Sequence, residues 1–101
     1  MNYKLSVPSI AEDVEEFRVL DWHGDVGDRF DPGALVVELE THKAVIEVRA
    51  AQPGVLRKII IAAGAWCQIG RPLALFSDRG DEAFDEDADL AGDLLVEFES
   101  T

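Results

Sequence analysis

The chain repeats itself. Displaced by 37 residues, Gly27-Asp28-Arg29-Phe30-Asp31-Pro32-Gly33 falls on Gly64-Ala65-Trp66-Cys67-Gln68-Ile69-Gly70. Each copy runs from a glycine to an apolar residue three positions on (Phe30, Cys67), then three more to a second glycine. In the same register Val36 falls on Leu73, Val19 on Leu56 and Trp22 on Ile59. Self-similarity at a fixed period is the mark of a repeated structural unit. Each half reads as a strand, a glycine-marked turn, a short apolar strand position and a further strand. The four glycines are expected to supply turn positions with positive φ, where a Cβ is strained. A phosphate cradle is a poor reading, because no helix start or Lys-Ser/Thr follows them.

The local signals agree with strands. Leu5 and Val7 alternate with polar neighbours. Val55 to Ile61 is rich in β-branched residues and follows Pro53-Gly54, which is turn chemistry. Val45-Ile46-Glu47-Val48-Arg49 puts Glu47 and Arg49 on one face, Ile46 and Val48 on the other. Leu73-Ala74-Leu75-Phe76 closes the series. About eight short strands at even spacing predict an all-β sandwich or barrel. No ten-residue helical pattern precedes residue 80. At 101 residues this is one domain with room for a modest core.

Charge narrows the partners. Residues 1–80 hold 12 acidic and all 9 basic side chains; residues 81–101 hold the other 9 acids and no base. A net charge of −12 argues against nucleic acid and against anionic membrane surfaces. No apolar run approaches a membrane span. The start, Met1-Asn2-Tyr3-Lys4, lacks the layout of a secretory signal, so a cytoplasmic protein is expected. A mitochondrial matrix location is expected only of a domain excised from a eukaryotic protein. One cysteine, Cys67, permits no internal disulfide and suits a reducing interior. His23, His42 and Cys67 form no metal-ligand spacing, so no metal is expected.

Glu40-Thr41-His42-Lys43-Ala44 lies between two strand-like runs, Ala34 to Leu39 and Val45 to Val48. That placement lifts Lys43 onto a hairpin tip. An ammonium on a flexible stem is commonly a target of covalent modification, and a hairpin tip suits a prosthetic group. Glu38, Glu40 and Glu47 flank the tip and contribute either an acidic recognition surface or plain solubility.

With the repeat and this lysine together, the chain resembles the lipoyl domain of the acyltransferase (E2) component of 2-oxo acid dehydrogenase complexes, within the biotinyl/lipoyl carrier family. The resemblance covers residues 3 to about 77. Val7-Pro8-Ser9-Ile10 with Glu12, Val14 and Glu15 looks like the opening of such domains, and Gly27-Asp28 like their first turn. Glu40-Thr41-His42-Lys43-Ala44 looks like the lipoylation motif, with Lys43 at the modified position. Gln52-Pro53-Gly54-Val55-Leu56, then Ile59, Ile61, Gly64 and Gly70, look like the second half. The resemblance implies a flattened β-barrel or sandwich of two four-stranded antiparallel sheets with pseudo-twofold symmetry, the barrel-sandwich hybrid. It implies lipoate held as an amide on Lys43, flanked by Glu40, Thr41, His42 and Ala44. It implies a non-catalytic, monomeric carrier that shuttles acyl groups and reducing equivalents. Its partners are the 2-oxo acid dehydrogenase E1, the acyltransferase E2 core, dihydrolipoyl dehydrogenase and a lipoyl ligase or lipoyltransferase.

The chain departs from that family in several places. His42 stands where Asp is usual, exchanging a fixed negative charge for a group that can switch. Ala11 replaces a frequent glycine, and Ala65 the Asp of the second Gly-Asp turn. Gly24 occupies a position usually apolar, matched in the other half by Ile61. The alternatives are a biotin carboxyl carrier-like domain and an unmodified barrel acting as a binding module. Biotin domains normally flank the lysine with methionines, where this chain has His42 and Ala44.

The remaining candidates read as structural. Cys67 falls in the apolar slot of Phe30, so a buried, inert thiol is expected. His23 sits beside Trp22 near a strand end, and Trp22 and Trp66 are assigned to core or rim packing. The carrier domain is expected over residues 1–78 and an acidic tail with an apolar end over 79–101. Like charges should keep residues 81 to 89 loose. Leu94, Val96 and Phe98 alternate as in a strand, although Leu90, Leu94 and Phe98 also fit a helix. Such an end either docks on a basic partner, folds back on a barrel, or only solubilises. With no further domain in view, a freestanding carrier is expected over an excised fragment.

Overall fold

The computed structural model describes residues 2–8, 14–81 and 92–100, and its elements among them are all strands. Eight precede Asp78: β1 (Asn2–Ser6), β2 (Glu16–Trp22), β3 (Arg29–Phe30), β4 (Leu35–Glu40), β5 (Val45–Ala50), β6 (Gly54–Ile59), β7 (Trp66–Gln68) and β8 (Pro72–Ser77). Two more follow, β9 (Gly92–Asp93) and β10 (Val96–Ser100). They form two sheets, ordered β3-β6-β8-β1-β9 and β7-β2-β4-β5-β10. The sheets enclose one apolar core, in which Leu5, Phe17, Val19, Leu39, Leu56 and Phe76 are wholly buried. Full burial of such a side chain stabilises by roughly 1.5–3 kcal/mol.

The repeat is present in the hydrogen bonds themselves. Gly27 N donates to Leu56 O at 2.7 Å, and Leu56 N to Asp28 O at 2.9 Å. Displaced by 37 residues, the counterparts are Gly64 N to Val19 O at 2.7 Å and Val19 N to Ala65 O at 2.9 Å. Each half therefore sends its short strand across to the other half's sheet: β3 pairs with β6, and β7 with β2. Through this exchange each half's short strand extends the sheet built on the other half. Gly27, Gly33, Gly64 and Gly70 all have φ between 91° and 100°, as the turn reading required.

Two differences from the expected fold have physical causes. The sheets have five strands each, not four, and they do not close into a barrel. The extra strands come from the tail, and each covers an edge that would otherwise present unpaired backbone groups. β10 runs antiparallel to β5, and β9 parallel to β1, so the pairing is not wholly antiparallel. Leu94 anchors the tail: it is 4 % exposed and packs beside Gly54 and Phe76. The alternating reading of the tail thus matches a strand at Val96–Ser100. Apart from Asp81, the stretch expected to be loose (81 to 89) lies outside the described residues.

Gly24, the odd residue in the repeat, is explained by its neighbour. A Cβ there lies 2.6 Å from Cζ of Phe30, whose ring meets Phe76 edge-on at 6.0 Å. The second half has the opposite allocation, with Ile61 in the slot of Gly24 and Cys67 in that of Phe30. In each half, one of the two positions is large and the other small.

Candidate functional site

β4 and β5 pair in register from Glu40↔Val45, leaving His42 and Lys43 as a two-residue tip closed by Thr41 N donating to Ala44 O at 2.9 Å. Tight hairpins usually use glycine, asparagine or aspartate with positive φ. Neither His42 nor Lys43 has positive φ. The Thr41 hydroxyl compensates: Oγ1 accepts from the amides of Lys43 and Ala44, each at 3.1 Å, and donates to Ala44 O at 3.2 Å. Thr41 is 7 % exposed, whereas His42 and Lys43 stand in solvent. The backbone beneath the lysine is held, and its side chain is presented.

Beside the tip lies a cleft of about 330 Å³, lined by Val14, Thr41, Lys43, Ala44, Ile46, Phe98 and Ser100. That volume is at the small end for clefts that hold organic ligands. The arrangement offers a primary amine on a rigid, exposed turn with an apolar surface next to it. Both features suit a long apolar group joined to the amine as an amide, and no general base is required of the domain.

The structure distributes the other sequence candidates. Thr41 supports the tip, Ala44 lies in the cleft wall, and Glu40 is the last residue of β4. Glu38 is engaged on the outer face, where His23 Nε2 lies 2.5 Å from its Oε1. Glu47 lies opposite Glu99 of β10, and Arg49 sits between them at 3.4 Å from each. Of the acids flanking the tip, Glu47 is thus partly neutralised by Arg49. Trp22 is half-buried and donates from Nε1 to Ile61 O at 2.9 Å, while Trp66 is 57 % exposed. Burial pushes the Cys67 thiol up, opposed in part by the charge of Arg71.

Two features escaped the sequence reading. Phe98 and Ser100 reach the cleft only because β10 docks on β5. Asp21, His23 and Glu38 converge on one face, their ligand atoms within 4.8 Å of one another. A bulge between Val19 and Asp21 and the β2–β4 register bring them together.

Comparison with known proteins places this geometry. The family model described as "Biotin-requiring enzyme", the biotin/lipoyl family, matches residues 3–76. The chain belongs to the biotin/lipoyl family. It is 33% identical over 92 residues to the dihydrolipoyllysine-residue acetyltransferase component of the pyruvate dehydrogenase complex of Rickettsia conorii, covering 90% of this chain and 22% of that protein. It is 33% identical over 75 residues to the dihydrolipoyllysine-residue succinyltransferase component of the 2-oxoglutarate dehydrogenase complex of Staphylococcus saprophyticus, covering 74% and 18%. It is also 32% identical over 89 residues to the pyruvate dehydrogenase E1 component subunit beta of Rhizobium meliloti, covering 87% and 19%. This biotin/lipoyl domain therefore spans about a fifth of the length of these relatives. The resemblance to acyltransferase lipoyl domains holds, and the β10 wall of the cleft lies outside the family match.

Proposed function

We propose that this domain carries lipoate as an amide on Lys43 and moves acyl groups and reducing equivalents between active sites of a 2-oxo acid dehydrogenase complex. The observation that carries the reading is Lys43 itself, exposed at a two-residue tip whose backbone is locked by Thr41. Lipoate supplies a dithiolane that takes up an acyl group reductively and is later reoxidised by thiol–disulfide chemistry. The domain's own residues supply position. Thr41 fixes the base of the arm, the sandwich keeps the tip rigid, and His42 beside the lysine is part of what partner enzymes meet.

Lipoate is favoured over biotin by the flanks His42 and Ala44 and by the relatives' names. The partners proposed are E1, the acyltransferase core, dihydrolipoyl dehydrogenase and the ligase that attaches lipoate. The domain itself acts as a carrier and not as a catalyst.

Intact mass tests this directly. After incubation with a lipoyl ligase and lipoate, one lipoyl group should be gained, and Lys43→Ala should gain none. A biotin adduct formed by a biotin ligase in its place, or no adduct from either enzyme, overturns the assignment. Reductive acylation by candidate dehydrogenases, compared between the wild type and His42→Asp, measures what the histidine contributes.

A further inference from the structure

Resting on the lipoyl reading, we infer that the cleft beside Lys43 is a seat for the modified arm, and that the C-terminal strand builds its outer wall. The register of β10 carries the argument. Phe98 pairs with Val48 and Ser100 with Ile46, whereas Glu97 pairs with Arg49 and Glu99 with Glu47. Side chains of paired residues share a face, so Phe98 and Ser100 lie on the inner side with Ile46 and Val48. Glu97 and Glu99 lie outside, where Arg49 holds Glu99. Phe98 is consequently half-buried at the rim of the core, facing the cleft.

The occupant follows from what the cleft contains. Lys43 is one of its lining residues, so a chain joined to its side chain is tethered beside the cleft. Amide formation removes the ammonium charge, and what remains of the lining is chiefly Val14, Ala44, Ile46 and Phe98. The Thr41 hydroxyl is already committed to the turn. An apolar arm exposed to water gains by covering its methylenes, and this apolar surface adjoins its point of attachment. A seated arm is shielded from solvent, and it leaves the cleft when a partner's active site takes it. The wall comes from residues 96–100, beyond the family match at 3–76.

Two measurements on the full chain test the seat. In the lipoylated protein, nuclear Overhauser contacts should join the arm's methylenes to the Phe98 ring and the Ile46 methyls. Reduction of the dithiolane by a water-soluble phosphine should run about fivefold slower than that of free lipoamide, as expected when roughly four-fifths of the arms are seated. Phe98→Ser should restore the lipoamide rate. Ser100→Leu keeps a strand side chain but fills the cleft, so it should restore the rate even if Phe98→Ser loosens β10. No contacts and a lipoamide-like rate in the wild type overturn the inference.

A third arm separates this inference from the lipoyl reading. In Lys43→Cys with Cys67→Ala, octyl methanethiosulfonate attaches an eight-carbon chain without any ligase. The same contacts with Phe98 and Ile46 are expected. If they form while Lys43 refuses lipoate, the lipoyl assignment fails and the apolar seat stands. If the octyl chain makes no contact, or only concentration-dependent contacts with a second copy, the seat is overturned.

Discussion

The two halves of the sandwich reach the same point in the repeat and then part. β4 and β8 are equivalent central strands, each flanked by equivalent neighbours. Leu39 and Phe76 sit in the same buried slot, as do Val36 and Leu73. After β4, Thr41 to Ala44 turn tightly into β5 and lift Lys43 into solvent. After β8, the corresponding residues Asp78 to Asp81 lead into the acidic tail, and Gly80 stands in the place of Lys43. The fold supplies the same platform twice. Among the described residues, only the first copy has a threonine that locks a tip and a strand that returns from it.

The largest effect expected from this comparison concerns modification. Lys43→Ala should abolish ligase-dependent mass gain. Moving the lysine to the sister position, in Lys43→Ala with Gly80→Lys, should not recover it. Recovery there would show that any lysine at the end of a central strand suffices.

Next in size is the exchange of bulk between the halves. Gly24→Ala should destabilise by roughly 1–3 kcal/mol in urea titration, because its Cβ meets a Phe30 ring already braced against Phe76. Phe30→Cys alone should also destabilise, by leaving a cavity. Gly24→Ile combined with Phe30→Cys imitates the second half, and it should lose less than the two single costs added together. Strict additivity would mean that the two slots do not share space.

Thr41→Ala should have a smaller and more local effect. Two tip amides lose their acceptor, so stability should fall by about 1 kcal/mol. Amide exchange at Lys43 and Ala44 should accelerate, and lipoylation should slow. Thr41→Ser should keep all three properties near wild type; if Ala behaves like Ser, the hydroxyl is not what locks the tip.

The smallest expectation concerns Cys67. Burial raises its thiol above the ordinary value, so the folded state keeps this proton longer than the unfolded chain. Its contribution is therefore fully present at neutral pH and is lost as pH rises through the alkaline titration of the buried thiol. Alkylation of Cys67 at pH 8 should be on the order of tenfold slower in the folded protein than in urea. Equal rates would show that the thiol is accessible.

Much of the platform was legible because glycine turns and alternation are local properties. Gly27, Gly33, Gly64 and Gly70 announced positive φ at four matched positions, and all four have it. Val45 to Arg49 alternates as a strand with one buried face, and does so. Lys43 was legible as a tip because the runs on either side of it read as strands. By contrast, the number of strands in each sheet was not legible. Alternation at Leu94, Val96 and Phe98 favours a strand or irregular segment over a helix in the tail. No local signal says whether that end docks on a partner, returns to its own barrel or only solubilises.

What the sequence alone determined is the repeat, the all-β character and the lysine midway along the chain. These rest on short-range rules, namely side-chain alternation, glycine conformation and turn chemistry. Only the tertiary structure decided that residues 92–100 return to extend both sheets, and that Phe98 becomes a wall beside Lys43. It alone decided that Gly24 is small because Phe30 is large, and that Asp21, His23 and Glu38 converge. Each of these depends on which residues far apart in the chain come into contact. That is set by strand register and by the filling of a shared core, neither of which any local stretch of sequence encodes.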